Sequence, residues 1–169
     1  DEVFEANNTA YYVMEFVDGE SLREYVERRG ALSEEETRRL MWPILDAMSL
    51  LHKSHICHLD IKPGNIMLGH EENGELRPVL IDFGLSKHYD QAGRPTTTVK
   101  TLGVSEGYSP REQYSGISAF SPESDIYALG ATLWFCLTGL QPKSSLMLRD
   151  GELAAELPET VSPQMRRLI

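Results

Sequence analysis

Residues 58–65, with the sequence HLDIKPGN, concentrate groups that could transfer a phosphoryl group. They place a carboxylate, an ammonium and an amide within six residues, a density that packing rarely needs. Phosphoryl transfer requires a carboxylate that orients the acceptor hydroxyl or receives its proton, a cation beside the moving phosphate and an oxygen ligand for Mg²⁺. Asp60, Lys62 and Asn65 are the candidates for these roles, in that order. A His-x-Asp sequence alone is ordinarily a polar turn, so a catalytic role for this segment has to be supported by further residues.

A second carboxylate follows a short apolar run. Asp82-Phe83-Gly84 comes directly after residues 79–81, which are typical of a strand. A carboxylate at a strand end, with a flexible glycine two residues later, is a candidate ligand for Mg²⁺. Asp-Phe-Gly is a common turn tripeptide, so it supports a metal site only through its order and spacing relative to residues 58–65. We therefore predict Asn65 and Asp82 as the metal ligands.

Together the two motifs resemble those of the eukaryotic-type (Hanks-type) serine/threonine protein kinases, whose catalytic loop is H-R-D-x-K-x-x-N and whose metal motif is D-F-G. The resemblance implies that Asp60, Lys62 and Asn65 are catalytic and that ATP and Mg²⁺ are the cofactors. Lys62, two residues after Asp60, is the serine/threonine pattern, which implies a protein substrate with a serine or threonine acceptor. The segment GYSPREQY, from residue 107, is more similar to bacterial members of the family than to animal ones.

The resemblance also implies a nucleotide site. Met14-Glu15-Phe16-Val17 looks like the hinge between the kinase lobes, with Met14 as gatekeeper and the next backbones facing adenine. Ser21 falls at the ribose side, and Met67 falls at the floor of the adenine pocket. In isolation these would be ordinary strand and core residues. The predicted cofactor-binding residues are Met14, Glu15, Val17, Ser21, Met67 and Asp82.

Three further positions follow from the same resemblance. Residues 107–113 resemble the end of an activation segment, with Glu112 as the glutamate of A-P-E, although Pro-Arg precedes it here. Ser105 falls where the family places a hydroxyl that contacts the catalytic aspartate and lysine. Asp125 looks like the aspartate that begins the central buried helix and holds the backbone of the catalytic loop.

Leu59 is the main departure from the family pattern, because it replaces the arginine of H-R-D that receives the activation-loop phosphate. The sequence is thus of the non-RD kind. We predict that its activity does not require phosphorylation of the activation segment. The hydroxyl residues concerned are Thr96, Thr97, Thr98 and Thr101.

The helices and strands that carry these residues can be predicted from hydrophobic periodicity and from turn and capping residues. Residues 10–17 are typical of a strand that ends in a turn at Asp-Gly, and Ser21 then begins a short helix. Ser33, with Glu36 three residues later, predicts the N-terminus of the longest helix, in which Pro43 should produce a kink.

Later segments are shorter. Residues 55–58, 66–68 and 79–81 are predicted as short strands, and residues 91–116 as a long mobile loop. Ser124–Thr138 is apolar on nearly all sides, which predicts a buried helix that Gly139 ends. Ser162 is expected to begin a further helix.

Composition narrows the function classes. The chain has 169 residues, 41% of them hydrophobic, and a formal net charge of −10, which suits one globular domain and argues against nucleic acid as a partner. Cys57 and Cys136 are too few for a disulfide framework, so we expect a reducing compartment and a cytoplasmic location. The longest apolar stretch, residues 128–140, is shorter than the ~20 residues that span a bilayer, so no membrane segment is expected within the chain.

The expected fold class is α+β: a mainly helical kinase C-lobe with short β-strands, plus the last N-lobe strand or strands and the hinge. Residues 1–20 would be the end of the N-lobe and the hinge, and residues 21–169 the C-lobe. Within the C-lobe lie the catalytic loop, 58–65, and the activation segment, 82–112. Because no glycine-rich loop is present and no lysine precedes Lys53, the chain reads as truncated at both ends and inactive by itself.

Two alternatives to an active protein kinase stay open at the level of sequence. A pseudokinase would bind partners or nucleotide without transferring phosphate, but the retained Asp60, Lys62, Asn65 and Asp82 argue against it. A small-molecule kinase of the same broad fold shares an H-x-D-x-x-x-x-N loop. Lys62, Gly84 and the Ser-Pro-Arg-Glu segment argue against that reading.

Overall fold

The computed structural model describes residues 2–91, 96, 103–114 and 120–169. Its strands are β1 Glu2–Ala6, β2 Thr9–Val13, β3 Gly19–Ser21, β4 Ile56–Cys57, β5 Ile66–His70, β6 Leu76–Leu80 and β7 Lys87–His88. Its helices are α1 Leu22–Arg29, α2 Glu34–Lys53, α3 Arg111–Tyr114, α4 Pro122–Thr138, α5 Glu152–Ala155 and α6 Pro163–Arg166, and a 3₁₀ turn spans Pro63–Asn65. Helices with short antiparallel strands confirm the predicted α+β class.

The N-terminal hairpin contains a strand that the sequence did not predict. β1 and β2 pair antiparallel, and Asn7 and Asn8 connect them with φ angles of 53° and 58°. Two consecutive left-handed residues form the turn whose twist matches a hairpin, and asparagine tolerates that conformation. The predicted strand over residues 10–17 ends earlier, at Val13, because the chain leaves the hairpin before β3 begins to pair with β5.

A three-stranded antiparallel sheet in the order β3-β5-β6 positions the motif residues. Ser21 pairs with Met67, and Ile66 pairs with Leu80. One step beyond the last pair, the Ile81 backbone N–H donates to the Asn65 carbonyl at 2.9 Å. The 3₁₀ turn before β5 and the residues after β6 therefore lie at the same end of this sheet.

The long helix α2 begins where the sequence predicts. The Ser33 hydroxyl accepts a hydrogen bond from the Glu36 N–H at 3.2 Å, which satisfies an N–H that has no partner within the helix. The helix continues through Pro43, which lies on the exposed face where solvent can replace the lost hydrogen bond. Its opposite face is buried through Leu40, Met41, Ile44 and Met48.

Helix α4 is buried along most of its length, as predicted, and it begins at Pro122, two residues before the predicted start. Gly139 ends it in the left-handed conformation, with φ 70°, and donates to the Phe135 carbonyl at 2.8 Å. α4 contributes to two apolar clusters. The larger unites it with α1, α2, β5 and β6, and the smaller packs Trp134 and Leu137 against Leu148, Leu153, Leu157, Val161 and Met165. Among the described residues, no helix is both long and apolar enough to cross a membrane.

Candidate active site

The buried carboxylate of Asp125, at the start of α4, holds the catalytic-loop backbone. Its two oxygens accept hydrogen bonds from the His58 N–H at 2.9 Å and the Leu59 N–H at 2.8 Å. The side chain of Asp125 is fully buried, and the His52 ring lies 2.9 Å from one of its oxygens. Leu59 has φ 66°, a conformation that L-residues avoid unless the surrounding contacts fix it. The structure thus confirms the contact predicted for Asp125. This contact holds the turn in which Leu59 has a strained backbone conformation.

The three predicted catalytic side chains meet at one point. Lys62 Nζ lies 3.0 Å and 2.8 Å from the two carboxylate oxygens of Asp60. The Asn65 amide nitrogen donates to the Asp60 carbonyl and to its carboxylate oxygen Oδ2, both at 2.8 Å. Asp60 is only nine per cent exposed, and its carboxylate is held by a cation and an amide.

Ser105 brings a hydroxyl to the same carboxylate. Its Oγ donates to Asp60 Oδ1 at 2.6 Å and accepts from Lys62 Nζ at 2.9 Å. The predicted contact between Ser105 and these two residues is confirmed. The arrangement shows that an alcohol at this carboxylate also meets the lysine ammonium.

His58 is a buried neutral histidine that connects the two motifs. Its Nε2 donates to the Ile81 carbonyl at 3.2 Å, and its Nδ1 accepts from the Asp60 N–H at 3.3 Å. Its ring meets the Phe83 ring edge-on at 4.9 Å between centroids. Burial is the main influence on its pKa, which lies below the ordinary histidine value. The neutral form is the one that can both donate and accept in this way.

Asp82 lies beside Asn65 at the end of the three-stranded sheet. It follows the residue whose N–H bonds the Asn65 carbonyl, and its φ of 62° turns the chain sharply there. Its side chain is exposed, and one carboxylate oxygen accepts from the Gly84 N–H at 3.1 Å. A carboxylate oxygen from Asp82 and a side-chain amide oxygen from Asn65 are donors of the kind that Mg²⁺ accepts. Within the described part of the chain, no cluster of three or more histidine, cysteine or acidic residues could hold a metal by itself.

With this geometry in place, comparison with known proteins decides the family. The family model described as "Protein kinase domain" matches residues 1–168. The chain belongs to the protein kinase family. The serine/threonine-protein kinase PknA of Nostoc sp. is 37% identical over 145 residues, covering 83% of this chain and 24% of that protein. PrkC of Bacillus subtilis, also named a serine/threonine-protein kinase, is 34% identical over 157 residues, covering 91% of this chain and 23% of that protein.

Another bacterial relative, a probable serine/threonine-protein kinase PknB of Bifidobacterium longum, is 36% identical over 139 residues, covering 82% of this chain and 19% of its own length. The resemblance to bacterial members of the family is therefore confirmed. This kinase chain spans about a quarter or less of the length of these three relatives.

On the predicted nucleotide side, the structure brings some residues together and leaves others apart. Ser21 and Met67 are partners on neighbouring strands. Met14 is 53% exposed and Glu15 forms an ion pair with Arg77 at 2.7 Å, both in the segment between β2 and β3. Val17 is partly buried where its side chain approaches Gly69.

The Ser21 hydroxyl caps α1, the short helix that the sequence predicts to begin at this residue. It accepts from the Glu24 N–H at 3.2 Å and donates to the Glu24 carboxylate at 2.7 Å, while that carboxylate also accepts from the Ser21 N–H at 2.8 Å. This capping box begins α1. The Ser-x-x-Glu spacing, which was used for Ser33, would have found it.

The position that carries arginine in the family motif is apolar in this kinase chain. Leu59 is buried with Cys57 and Phe120, and Leu85 and Tyr89 pack against them. Burial raises the pKa of Cys57 to about 12, so its thiol stays neutral and serves as another apolar member. We call these five residues the Leu59 cluster.

Gln113 ties helix α3 to the catalytic loop, and the sequence reading did not single it out. Its buried amide nitrogen donates to the Leu59 carbonyl at 3.0 Å. Next to it, Glu112 accepts from the Ser124 hydroxyl at 3.0 Å. Arg111, which departs from the family pattern, donates to the carbonyls of Ser145 and Leu148 at 2.8 Å and 2.5 Å. Of the four predicted non-essential threonines, Thr96 donates to the His88 carbonyl at 3.1 Å, and the other three lie outside the described residues.

Proposed function

We propose that the protein carrying this chain transfers the γ-phosphoryl group of ATP to serine or threonine hydroxyls of proteins. The observation that supports it best is the contact of the Ser105 hydroxyl with Asp60 and Lys62. An acceptor serine or threonine presents the same group, an aliphatic hydroxyl, and would meet the same carboxylate and ammonium. The serine/threonine kinases among the bacterial relatives support the same acceptor class.

In this proposal Asp60 accepts the hydrogen bond of the acceptor hydroxyl and orients its oxygen toward the phosphate. Lys62 lies against that carboxylate and supplies positive charge where charge develops during transfer. Asn65 keeps the Asp60 carboxylate in one orientation through its amide nitrogen, which leaves its amide oxygen as the candidate metal ligand. Positioning and charge supply most of the catalysis in this class of reaction.

ATP and Mg²⁺ are the cofactors that the family generally uses, and the residues fit them. Bound Mg²⁺ would neutralise charge on the phosphates, with Asn65 and Asp82 as its protein ligands. Two protein ligands suffice because Mg²⁺ completes its shell with phosphate oxygens and water. We propose Met14, Glu15, Val17, Ser21 and Met67 as the nucleotide-side residues. Since the Ser21 hydroxyl already caps α1, this residue would contribute through position more than through a new hydrogen bond.

We further propose residues 1–20 as the end of the N-lobe with the hinge, and residues 21–169 as C-lobe. The β1-β2 hairpin forms its own sheet, and its described side chains are exposed, in keeping with a segment outside the core. Protein substrates rather than nucleic acid suit the net charge of −10. A cytoplasmic location suits two buried cysteines that form no disulfide.

The test compares Asp60→Asn with Asp46→Asn, a control that makes the same chemical change on the exposed face of α2. In the full-length protein, transfer of labelled phosphate from ATP to a serine-containing protein should fall by about 10²- to 10⁴-fold in Asp60→Asn, because proton handling and acceptor orientation are lost. The control should keep the wild-type rate. ATP binding should persist in both variants, measured by displacement of a fluorescent nucleotide.

Equal turnover in Asp60→Asn and wild type would refute the assignment of Asp60. Nucleotide binding without transfer, in wild type as in the variant, would favour the pseudokinase alternative.

A further inference from the structure

Arg23, in the first turn of α1, packs against two aromatic rings. Its guanidinium carbon lies 5.9 Å from the centre of the Tyr108 ring and 5.7 Å from that of Phe135. The rings belong to different elements, the segment after Gly103 and helix α4, so both have to be in place for Arg23 to keep this position. Aromatic faces attract a guanidinium and limit its rotation. The two rings therefore restrict the orientation of the Arg23 cation.

Arg23 also lies next to the proposed transfer site. A side chain at Gly64, within the catalytic loop, would begin 3.9 Å from Arg23 Nε. On the other side, Gln141 accepts from Arg23 at 3.4 Å and donates to the Glu106 carbonyl at 2.9 Å. Glu106 directly follows Ser105, whose hydroxyl touches Asp60. Arg23 is thus adjacent to both chain segments that border the Asp60 carboxylate.

Arg23 is more weakly paired than the other charged side chains near the start of α1. Its ion pair with Glu27 spans 3.6 Å, and the two side chains are 36% and 56% exposed, so water screens the pair and another anion can replace it. Glu24 is bound by Ser21, and Glu20 is bound by Arg28. Both carboxylates therefore have partners other than Arg23: Glu20 pairs with the Arg28 cation, and Glu24 accepts hydrogen bonds from Ser21.

We propose that Arg23, with Tyr108, Phe135 and Gln141, is a specificity site that binds an anionic residue of the acceptor protein close to the phosphorylated hydroxyl. We call these four residues the Arg23 site. The proposal rests on the proposed kinase function and adds the class of sequence that is preferred. A guanidinium fork fits a carboxylate and a phosphate equally well, so the anion is aspartate, glutamate or a residue that is already phosphorylated.

The anionic residue should be near the acceptor in sequence. An extended peptide advances about 3.3 Å per residue, so a side chain that reaches a group beside the catalytic loop belongs to a residue within a few positions of the acceptor. Gly64 leaves room for this approach, because it has no side chain to fill the space next to Arg23 Nε.

The first experiment uses the full-length protein and a peptide library with one serine acceptor. Each flanking position carries aspartate, phosphoserine, alanine or lysine in turn, and kcat/KM is measured for each peptide. We expect one position at which an anionic residue exceeds lysine by roughly tenfold or more, as a charge-assisted hydrogen bond would give. Comparison of aspartate with phosphoserine tells whether carboxylate or phosphate is the better ligand.

Substitutions of Arg23 then test whether this residue causes the preference for an anionic flanking residue. Arg23→Gln should abolish it, Arg23→Glu should reverse it, and Arg23→Lys should keep part of it, because the charge remains but the planar fork is lost. Arg29→Gln is the matched control. Arg29 lies on the same helix and over the Tyr25 ring, but it pairs with Glu36 at 3.3 Å on α2. Melting temperatures of all variants show whether a lost preference reflects lost folding.

A second readout separates this proposal from the proposed function. Binding of peptides whose acceptor serine is replaced by alanine is measured by fluorescence anisotropy without ATP. Arg23-dependent binding of the anionic peptide without any phosphoryl transfer would support the specificity site and refute the kinase activity. Transfer with no charge preference, or with a preference for lysine set by Glu27 and Glu106, would overturn the specificity site and leave the kinase activity standing. Absence of both transfer and Arg23-dependent binding would overturn both.

Discussion

At the scale of the residue, His58 shows how burial sets the chemistry of a single side chain. Its ring lies in the interior and is fully enclosed, and its two nitrogens serve one donor and one acceptor contact. Protonation would turn Nδ1 into a donor facing the Asp60 N–H, which is itself a donor. Burial and this hydrogen-bond pattern both favour the neutral ring, in agreement with its lowered pKa.

The lowered pKa of His58 predicts a pH dependence of stability. The unfolded chain binds this proton more readily than the folded chain, so the contribution to stability is complete above the ordinary histidine pKa of about 6.5 and falls as the pH drops below it. The free energy of unfolding in urea should therefore decrease between about pH 7.5 and pH 5.5. His58→Asn should reduce the slope, whereas His70→Asn, at an exposed histidine on β5, should leave it unchanged. Equal slopes in wild type and His58→Asn would contradict the prediction.

At the scale of the element, the catalytic loop takes its shape from helix α4. Asp125 accepts hydrogen bonds from the His58 and Leu59 N–H groups. Because Asp60 directly follows these residues, the position of its carboxylate depends on the core helix α4. From the other side, Gln113 of α3 holds the Leu59 carbonyl. The loop is thus fixed by elements that are distant in sequence, which is what precise placement of a reacting group requires.

Asp125→Asn tests this dependence. An amide side chain has only one oxygen to accept the two N–H groups, so a buried donor would face the amide nitrogen. We expect a loss of about 1–3 kcal/mol in the free energy of unfolding and a fall in kcat at nearly unchanged KM for ATP. Asp150→Asn, in an exposed turn, is the control with the same chemical change. A variant that lost stability but kept the wild-type kcat would show that Asp125 supports folding alone.

Local rules predicted the elements that have local causes. Ser33 and Gly139 mark helix ends through contacts with neighbouring residues, and the sequence gives both positions correctly. β1 was missed because its pairing with β2 depends on an Asn-Asn turn rather than on a strongly apolar run. The end of the predicted strand at Val13 could not be read from periodicity, because pairing partners decide where a strand stops.

The candidate site follows the same division. The motif predicted that Asp60, Lys62 and Asn65 act together, since all three lie on one loop. The Ser-x-x-Glu spacing at Ser21 already indicates a helix cap, whereas the Gln113 contact with the Leu59 carbonyl depends on the folded arrangement. Neither the rings around Arg23 nor their distance from Gly64 has a sequence signature, because they join segments far apart in the chain.

At the scale of the whole molecule, apolar packing joins the predicted catalytic loop to the predicted activation segment, at the position where the family motif has an arginine and this chain has Leu59. The Leu59 cluster joins β4, the catalytic loop, Phe120 and the segment after Asp82. Cohesion of this kind needs no phosphate, because buried apolar surface is the source of its free energy. A phosphate added nearby would lack the arginine that pairs with it in the family motif.

The last prediction follows from this packing. Replacing Thr96, Thr97, Thr98 and Thr101 together with alanine in the full-length protein should leave kcat/KM within about twofold of wild type, because a phosphate on these residues would lack the arginine that pairs with it in the family motif. Ser105→Ala is the contrasting variant, since it removes one hydroxyl from the same predicted segment where the fourfold variant removes four. It deletes the contacts with Asp60 and Lys62 and should lower kcat/KM by roughly tenfold, the worth of about one hydrogen bond to a charged group. Both variants are assayed for transfer of labelled phosphate to the same substrate after phosphatase treatment. Loss of activity in the fourfold alanine variant would mean that phosphorylation still activates the protein despite Leu59. Retained activity together with the Ser105 effect would mean that the Ser105 contacts are needed and the four threonine hydroxyls are not.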